Sequence, residues 1–436
     1  MVPIRLQVVV TLPTACVTLY DMSTPTHHAT AADRPLARRA DDAWRGQLVL
    51  VSAAFLAAFA YATTIPAVPI FLFDLLEGDL QAASFWTGLA FGANPLGTAL
   101  TGPLWSALGD RWGQRVMVLR AFAALAVATA LTPLAADPLQ VLGLRFAIGA
   151  LGGYSAALLA AAASDSPPHR VGRAVGATQA AQILGQVVGP LTGGGLLVVV
   201  GPTPVFFLAA ALFVVAIVFF ALAYRPSRER GGAPKREAPT LGLLEVLRSS
   251  GLGPLSVVIF VVAFVERSLD PLLPFYLQAY GAPRSLVGLL AGVGVALGGL
   301  TAALAAAWGG RLGDAQRPKA LTLGLLLCGV LCLVALVANI WWHLLLYRAL
   351  VGVAAGAVPS VVYALAAGRA ASGRRGTTVG LLYSAALIGW AVGPPLAGSL
   401  VGWDLRAIFV VSLTLFLGAW VLWRRRWRRF GQAAGA

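Results

Sequence analysis

Two carboxylates inside a long apolar stretch are the residues of this chain that are best placed to do chemistry. Glu266 and Asp270 stand four residues apart in "VAFVERSLDPLLPFYL", so a helix places both on one face, where Arg267 can also reach Asp270. Two such carboxylates in a medium of low dielectric disfavour double ionisation, so one of them should hold a proton near neutral pH. That property suits a proton carrier inside a membrane. The alternative is a local structural cluster of ion pairs.

Arg145, in "LRFAIGALGG", is a further candidate. A bare arginine near the membrane interior costs about 2.5–3.5 kcal/mol, so it should face a cavity or a carboxylate. At about 1.5 Å per residue, Arg145 and Asp270 lie about 9 and 10 Å from the outer ends of their helices, and Glu266 lies about 16 Å in. We therefore hypothesise that Arg145 and Asp270 are close in at least one state, with Glu266 as the main proton site.

The elements that position these residues are membrane-spanning helices. Hydrophobic residues make up 58% of the 436 residues, charged residues make up 11%, and the mean hydropathy is +0.81. Soluble domains have roughly 45–50% apolar and about 25% charged residues. The apolar segments do not alternate with polar residues, which favours a helical bundle over a β-barrel. We predict an all-α membrane protein with about twelve spans, at 47–72, 84–106, 116–135, 139–163, 174–200, 204–224, 251–277, 285–308, 319–339, 343–366, 376–401 and 404–423.

The 32 basic residues indicate the orientation of the spans. They collect before the first span, after each even-numbered span and at the C-terminus, whereas the alternate loops hold almost none beyond Arg284 and Arg406. The positive-inside bias then places both termini in the cytoplasm, and we expect a multi-pass protein of the cell membrane, most simply a bacterial inner membrane. The same distribution accounts for the net charge of +15 without a nucleic-acid partner.

Internal repeats divide the chain into two six-helix halves. The segment "LRFAIGALGG" is matched by "YRALVGVAAG" around Arg348, and "GQVVGPLTGG" is matched by "GWAVGPPLAG". Four such matches occur in order at offsets of 203 to 205 residues, so Arg348 is the structural echo of Arg145. We predict a disordered cytoplasmic tail over 1–46, halves over 47–224 and 251–423, a cytoplasmic linker over 225–250 and a basic cytoplasmic tail over 424–436.

Two glycine-containing motifs carry a family resemblance. The loop after the second span reads "SALGDRWGQR", and the fifth span contains "GQVVGPLTGGG". With Arg145 and Gly149 in the fourth span, these motifs resemble signatures of the major facilitator superfamily, and within it of the twelve-helix drug:proton antiporters, over about residues 47–423. The resemblance implies a cytoplasmic latch between the halves at Asp110, Arg111, Gly113 and Arg115. It also implies a bent helix on which the halves seal and slide, marked by Gly185, Gly189, Pro190, Gly193 and Gly194.

The resemblance implies a secondary active transporter, with proton-coupled export of lipophilic drugs or other amphipathic compounds by alternating access as the expected activity. Arg145 would take part in proton transfer, and the proton gradient would supply the energy without a cofactor. The expected partners are a small-molecule substrate, protons and the lipid bilayer, with the chain functional as a monomer. Polar and aromatic residues that could line the substrate cavity are Tyr61, Asn94, Tyr154, Gln179, Gln182 and Tyr383.

Other functions remain open from the residues. A transporter of one defined metabolite, such as a sugar, siderophore or organic acid, is the main alternative, and a channel or receptor is another. The four histidines lie in tails, loops or span ends, and no Ser/His/Asp, metal-ligand or phosphate-loop arrangement is visible. We therefore predict that the chain is not an enzyme and has no metal site.

Overall fold

The computed structural model describes residues 34–167, 169–225, 252–313, 315–369 and 375–433, and within these ranges it is helical without any β-strand. The helices are α1 (Arg34–Thr63), α2 (Ala67–Leu75), α3 (Leu80–Trp112), α4 (Gln114–Leu131), α5 (Pro138–Leu151), α6 (Tyr154–Ser164), α7 (Val171–Val200), α8 (Pro202–Ala223), α9 (Gly253–Leu269), α10 (Leu273–Ala279), α11 (Val287–Gly309), α12 (Arg317–Leu336), α13 (Trp341–Arg369), α14 (Arg375–Leu400) and α15 (Ala407–Ala433). The predicted all-α architecture is confirmed.

In the part of the chain that the structure describes, ten segments are long and apolar enough to cross a membrane. The two remaining predicted spans, 84–106 and 251–277, fall in α3 and in α9 with α10. Helix α3 has 33 residues, ample length for a span, but glycine, threonine and internal prolines dilute its apolar character. Helix α9 stops at Leu269 because Asp270–Leu272 forms a 3₁₀ turn around Pro271, which lacks a backbone donor.

The fourth predicted span is interrupted between α5 and α6. Gly153 adopts the left-handed conformation, with φ of 78°, and carbonyl groups of α5 lose their helical partners. Side chains replace these partners: Trp105 Nε1 donates to Ala150 O at 2.6 Å, and Arg120 Nη2 donates to Gly152 O at 2.8 Å. A broken helix within a membrane requires such substitutes, because lipid provides none.

Close glycine contacts repeat between the two halves. Gly149 packs on the backbone of Asn94, and Gly352, 203 residues later, packs on the backbone of Gly298. A Cβ atom at either glycine would overlap the facing carbonyl oxygen, so each position requires glycine. The pseudo-symmetric two-half organisation expected from the sequence repeat is therefore present in the packing.

Aromatic clusters form the centres of the two halves. In the N-terminal half, the rings of Phe213 and Phe220 lie 6.4 and 6.2 Å from that of Phe122. In the C-terminal half, the ring of Tyr347 meets that of Phe409 edge to face at 5.3 Å. Each half thus has its own packed interior, away from the surface between the halves.

The boundaries of the predicted tails differ from those in the structure. Residues Arg45–Ala436 form one compact unit, which contains both six-helix halves. Helix α1 begins at Arg34, so the residues from 34 to 46, which were assigned to a disordered tail, are helical. Their alanines and arginines are good helix formers and extend the spanning helix. The predicted linker falls outside the described residues except for Arg225, and the basic tail is helical to Ala433.

Candidate functional site

The bundle has two chemically different ends. At the basic end, α3 meets α4 around Asp110–Arg115, α6 meets α7, and α11 meets α12 around Arg311 and Lys319. At the opposite end, α2 turns into α3, and α7 meets α8 at Gly201.

A buried ion pair joins Asp270 to Arg348. Arg348 Nη2 contacts Asp270 Oδ1, and the side chains are only 4% and 8% exposed. Arg348 Nη1 also lies 3.5 Å from the backbone oxygen of Glu266. Gly298 makes room for the guanidinium, since a Cβ atom there would stand 2.7 Å from Arg348 Nη2. The pair holds the broken seventh span against α13.

The predicted pairing of Asp270 with Arg145 is not present in this structure. Arg348, the echo of Arg145 in the same half as Asp270, takes the carboxylate. Arg145 stays in the N-terminal half, where its Nη2 lies 3.4 Å from Thr64 Oγ1 and its guanidinium lies 5.2 Å from the ring centroid of Phe91. It is 1% exposed, and its Nε and Nη1 make no hydrogen bond with any described residue.

Arg267 faces an aromatic ring of α14. Its guanidinium carbon lies 5.4 Å from the ring centroid of Trp390, whose ring lies edge-on to that of Tyr383 at 6.1 Å. Arg267 and Asp270 are three residues apart and could pair along the chain, but the ion pair of Asp270 is formed with Arg348. Glu266, the preceding residue, is half-buried. Sequence reasoning missed Trp390 and gave Arg348 no definite role, although the repeat marked Arg348.

The predicted cavity residues separate into two groups. Asn94 Nδ2 donates to Tyr61 Oη at 3.0 Å, which joins α3 to α1, and Tyr383 is 48% exposed beside Trp390. The other three residues lie on α6 and α7, with Tyr154 near Tyr61. Gln182 is buried and accepts from Ser155, the ring of Tyr154 packs near that of Phe122, and Gln179 is exposed.

The glycine motif of α7 presents two surfaces. A Cβ atom at Gly185, Gly189 or Gly193 would collide with the backbone of α1 at Phe55, Phe59 or Thr63. A Cβ atom at Gly194 would instead collide with the backbone of Gly288 on α11, in the other half. Pro190 lies within the same helix, and its carbonyl faces Gly292 of α11. The motif therefore serves packing within one half and contact between the halves.

Contacts between the halves concentrate at the opposite end. Helix α7 meets α11 at Gly194 and Gly292, and α3 meets α14 where Gly88 packs on the Pro394 carbonyl and Gly398 packs on that of Ser84. All these approaches lie in the parts of the four helices that are remote from the basic end. Toward the basic end, four glycines of these helices have open space around them, namely Gly102, Gly172, Gly176 and Gly380, whereas Gly109 and Gly309 contact residues of their own half. Among the described residues, the glycine–carbonyl contacts between the halves thus lie toward the opposite end of the bundle.

The predicted latch forms a tight turn at the basic end. Gly113 ends α3 with φ of 82°, a conformation that suits glycine. Arg115 Nη2 donates to Ala221 O at 2.7 Å, within the N-terminal half. Asp110 and Arg111 are exposed, and neither makes an ion pair within the described part of the chain. Among the described residues, no hydrogen bond or ion pair joins these four residues to the C-terminal half.

Known proteins resemble this chain over most of its length. The family model for the Major Facilitator Superfamily matches residues 50–265 and 255–432. The chain is 30% identical over 382 residues to multidrug resistance protein MdtG of Salmonella heidelberg (strain SL476), covering 85% of this chain and 94% of that protein. It is 28% identical over 382 residues to MdtG of Enterobacter lignolyticus (strain SCF1), covering 86% and 90%.

Solved structures share the fold. A bacterial homolog of the human lysosomal transporter Spinster, in an inward-facing and unoccupied conformation, superposes with a TM-score of 0.69 at 18% identity, over 90% of this chain and 98% of that one. The human organic anion transporter MFSD10 gives a TM-score of 0.62 at 22% identity, over 87% and 99%.

Proposed function

Because this multi-pass membrane protein belongs to the Major Facilitator Superfamily, we propose that it exports lipophilic or amphipathic small molecules in exchange for protons. This chain matches its relatives that are named multidrug resistance proteins over nearly their whole length. The proposal extends their named role to this chain, with the proton gradient as the energy source and no cofactor. An enzymatic activity has no part in it.

The observation that carries the proposal is the one-sided closure of the bundle. Four helices seal the opposite end through glycine–carbonyl contacts between the halves, and among the described residues no such contact joins the halves toward the basic end. If the basic end is cytoplasmic, as the positive-inside bias predicts, this is an inward-facing state that can load substrate from the cytoplasm. Alternating access then requires that the glycine contacts open and that the basic end closes.

Proton coupling is assigned to the broken seventh span. Glu266 is half-buried and takes up the proton, whereas Asp270 is held by Arg348. A proton that reaches Asp270 removes the charge that Arg348 pairs with, and a buried unpaired arginine is costly. Protonation of Asp270 would therefore favour a rearrangement of α9, α10 and α13. Arg145, without any acidic partner among described residues, supports this function from the other half.

The substrate is expected between the two halves, beside Tyr61, Asn94, Tyr383 and Trp390. These residues come from α1, α3 and α14 and combine aromatic faces with a few hydrogen-bonding groups. Such a lining suits an amphipathic compound better than a sugar, which needs a denser set of polar partners. Transport of one defined metabolite is the competing outcome of the test below.

The test uses everted, energised membrane vesicles that contain the protein. We measure collapse of the pH gradient on addition of lipophilic cations, neutral drugs, sugars and organic acids. The variant Glu266→Gln should abolish the response to the transported compound, because the amide cannot carry the proton. Glu77→Gln is the matched control, since Glu77 is an exposed acid at the opposite end of the bundle.

The outcomes separate the two candidate functions. Responses to several lipophilic compounds that vanish in Glu266→Gln and persist in Glu77→Gln support proton-driven export of drugs. A response confined to one sugar or one acid supports a metabolite transporter. Silence in the presence of folded protein contradicts both, and an unchanged Glu266→Gln variant contradicts the assignment of the proton site.

A further inference from the structure

A deep apolar groove lies on the C-terminal half, away from the surface between the halves. It has a volume of about 670 Å³ and is formed by the end of α11, by α12 and by α13. Its floor is made of small residues, among them Ala320, Gly324, Ala354 and Ala357. Among the described residues that line it, the polar side chains besides Trp308 are those of Gln316 and Lys319. None of these residues takes part in the transport site described above.

The groove has the length of one acyl chain in one leaflet. Its lining on α12 runs from Lys319 to Leu327, which at about 1.5 Å per residue is a depth of about 12 Å. Half of a hydrocarbon core of roughly 30 Å is about 15 Å. Helices α12 and α13 are antiparallel, so Val361 lies beside the mouth and Val353 lies at the inner end. The cleft therefore begins at the basic end and stops near the midplane.

The mouth of the groove is chemically different from its interior. Lys319 and Gln316 are exposed there, and Arg311 is exposed on the same connection between α11 and α12. Trp308, 60% exposed, stands beside them, where indole rings favour the boundary between lipid and water. Deeper in, Leu323 and Leu327 are exposed and apolar. A ligand that fits must be anionic at one end and hydrocarbon at the other.

We propose that this groove binds one anionic phospholipid of the leaflet at the basic end, with an acyl chain between α12 and α13 and the phosphate at Lys319. The matching depth, the apolar walls and the single lysine at the mouth all fit this ligand. A free organic anion would leave the apolar part empty, and a second copy of the chain is a separate outcome of the test below. A basic residue near the surface favours an anionic lipid by about fivefold over a zwitterionic one.

The test is native mass spectrometry of the purified full chain, delipidated and incubated with palmitoyl-oleoyl phosphatidylglycerol or with the phosphatidylcholine of the same chains. We expect one retained phosphatidylglycerol with an affinity about fivefold above that of phosphatidylcholine. Lys319→Gln should abolish the preference while a lipid is still retained. Ala320→Phe, which fills the floor, should lose both lipids. Arg406→Gln removes an exposed cation at the opposite end and should behave as the wild type.

Other occupants give distinct results. Equal retention of the two lipids by the wild type, or a preference that survives in Lys319→Gln, overturns the proposal. Dimer masses that disappear in Ala320→Phe assign the groove to a second copy of the chain instead. Should Ala320→Phe fail to fold, Lys319→Gln still decides, because an exposed side chain at the mouth does not support the fold.

Discussion

Replacing Gly194 with alanine should move the protein out of the conformation described here. Among Gly185, Gly189, Gly193 and Gly194 of the α7 motif, Gly194 is the glycine that contacts the backbone of the other half. A Cβ atom there would overlap the carbonyl oxygen of Gly288 and stand 3.2 Å from the Cα of Gly292. Both neighbours are backbone atoms, so no rotation of a side chain can relieve the collision. The helices must separate at the opposite end.

The expected magnitude follows from the cost of overpacking. An extra methyl group in a tight contact costs about 1–3 kcal/mol, and only the state closed at the opposite end bears that cost. The ratio of closed to open molecules should therefore fall by about 5- to 160-fold. Alanine also stabilises a helix interior by about 1 kcal/mol relative to glycine. Gly176→Ala in the same helix provides that gain without a collision, since Gly176 has open space around it.

The assay is pulsed electron paramagnetic resonance in reconstituted protein, with spin labels at Val199 and Trp403. These side chains are 79% and 86% exposed and lie at the opposite end in different halves. Gly194→Ala should lengthen the distance distribution between the labels, while Gly176→Ala should leave it unchanged. An unaltered distribution in Gly194→Ala, or an equal shift in both variants, would refute the assignment of Gly194 to the seal between the halves.

Two further predictions concern stability, measured by thermal unfolding in detergent. Arg348→Gln should destabilise the protein by about 3–5 kcal/mol, because it leaves Asp270 buried without its partner. Adding Asp270→Asn should recover most of this loss, and a double variant as unstable as the single one would contradict the role of the ion pair. Gly153→Ala should cost about 1–2 kcal/mol, since its φ of 78° is unfavourable for alanine. Gly143→Ala, in open space on α5, should cost nothing, and equal losses in both would argue against the break in the fourth span.

The sequence by itself determined that the protein lies in a membrane, that its fold is helical and that it consists of two halves. Long apolar segments are sufficient for this, because a backbone in lipid must satisfy its own hydrogen bonds and has helices as the available solution. The repeat at 203 to 205 residues then required equivalent packing in each half, and the contacts of Gly149 and Gly352 confirm it. Depth along each helix also followed, since the rise per residue is constant.

Only the tertiary structure decided which side chains meet. Depth does not specify rotation about a helix axis, so Arg145 and Arg348 were equally possible partners for Asp270, and packing within the C-terminal half selected Arg348. The same limit hid Trp390, which faces Arg267 only through the placement of α14. Gly193 and Gly194 are adjacent in sequence, yet they face α1 and α11, because successive residues point about 100° apart on a helix. The sequence permits several pairings between these side chains, and the packing of the helices against one another determines which of them form.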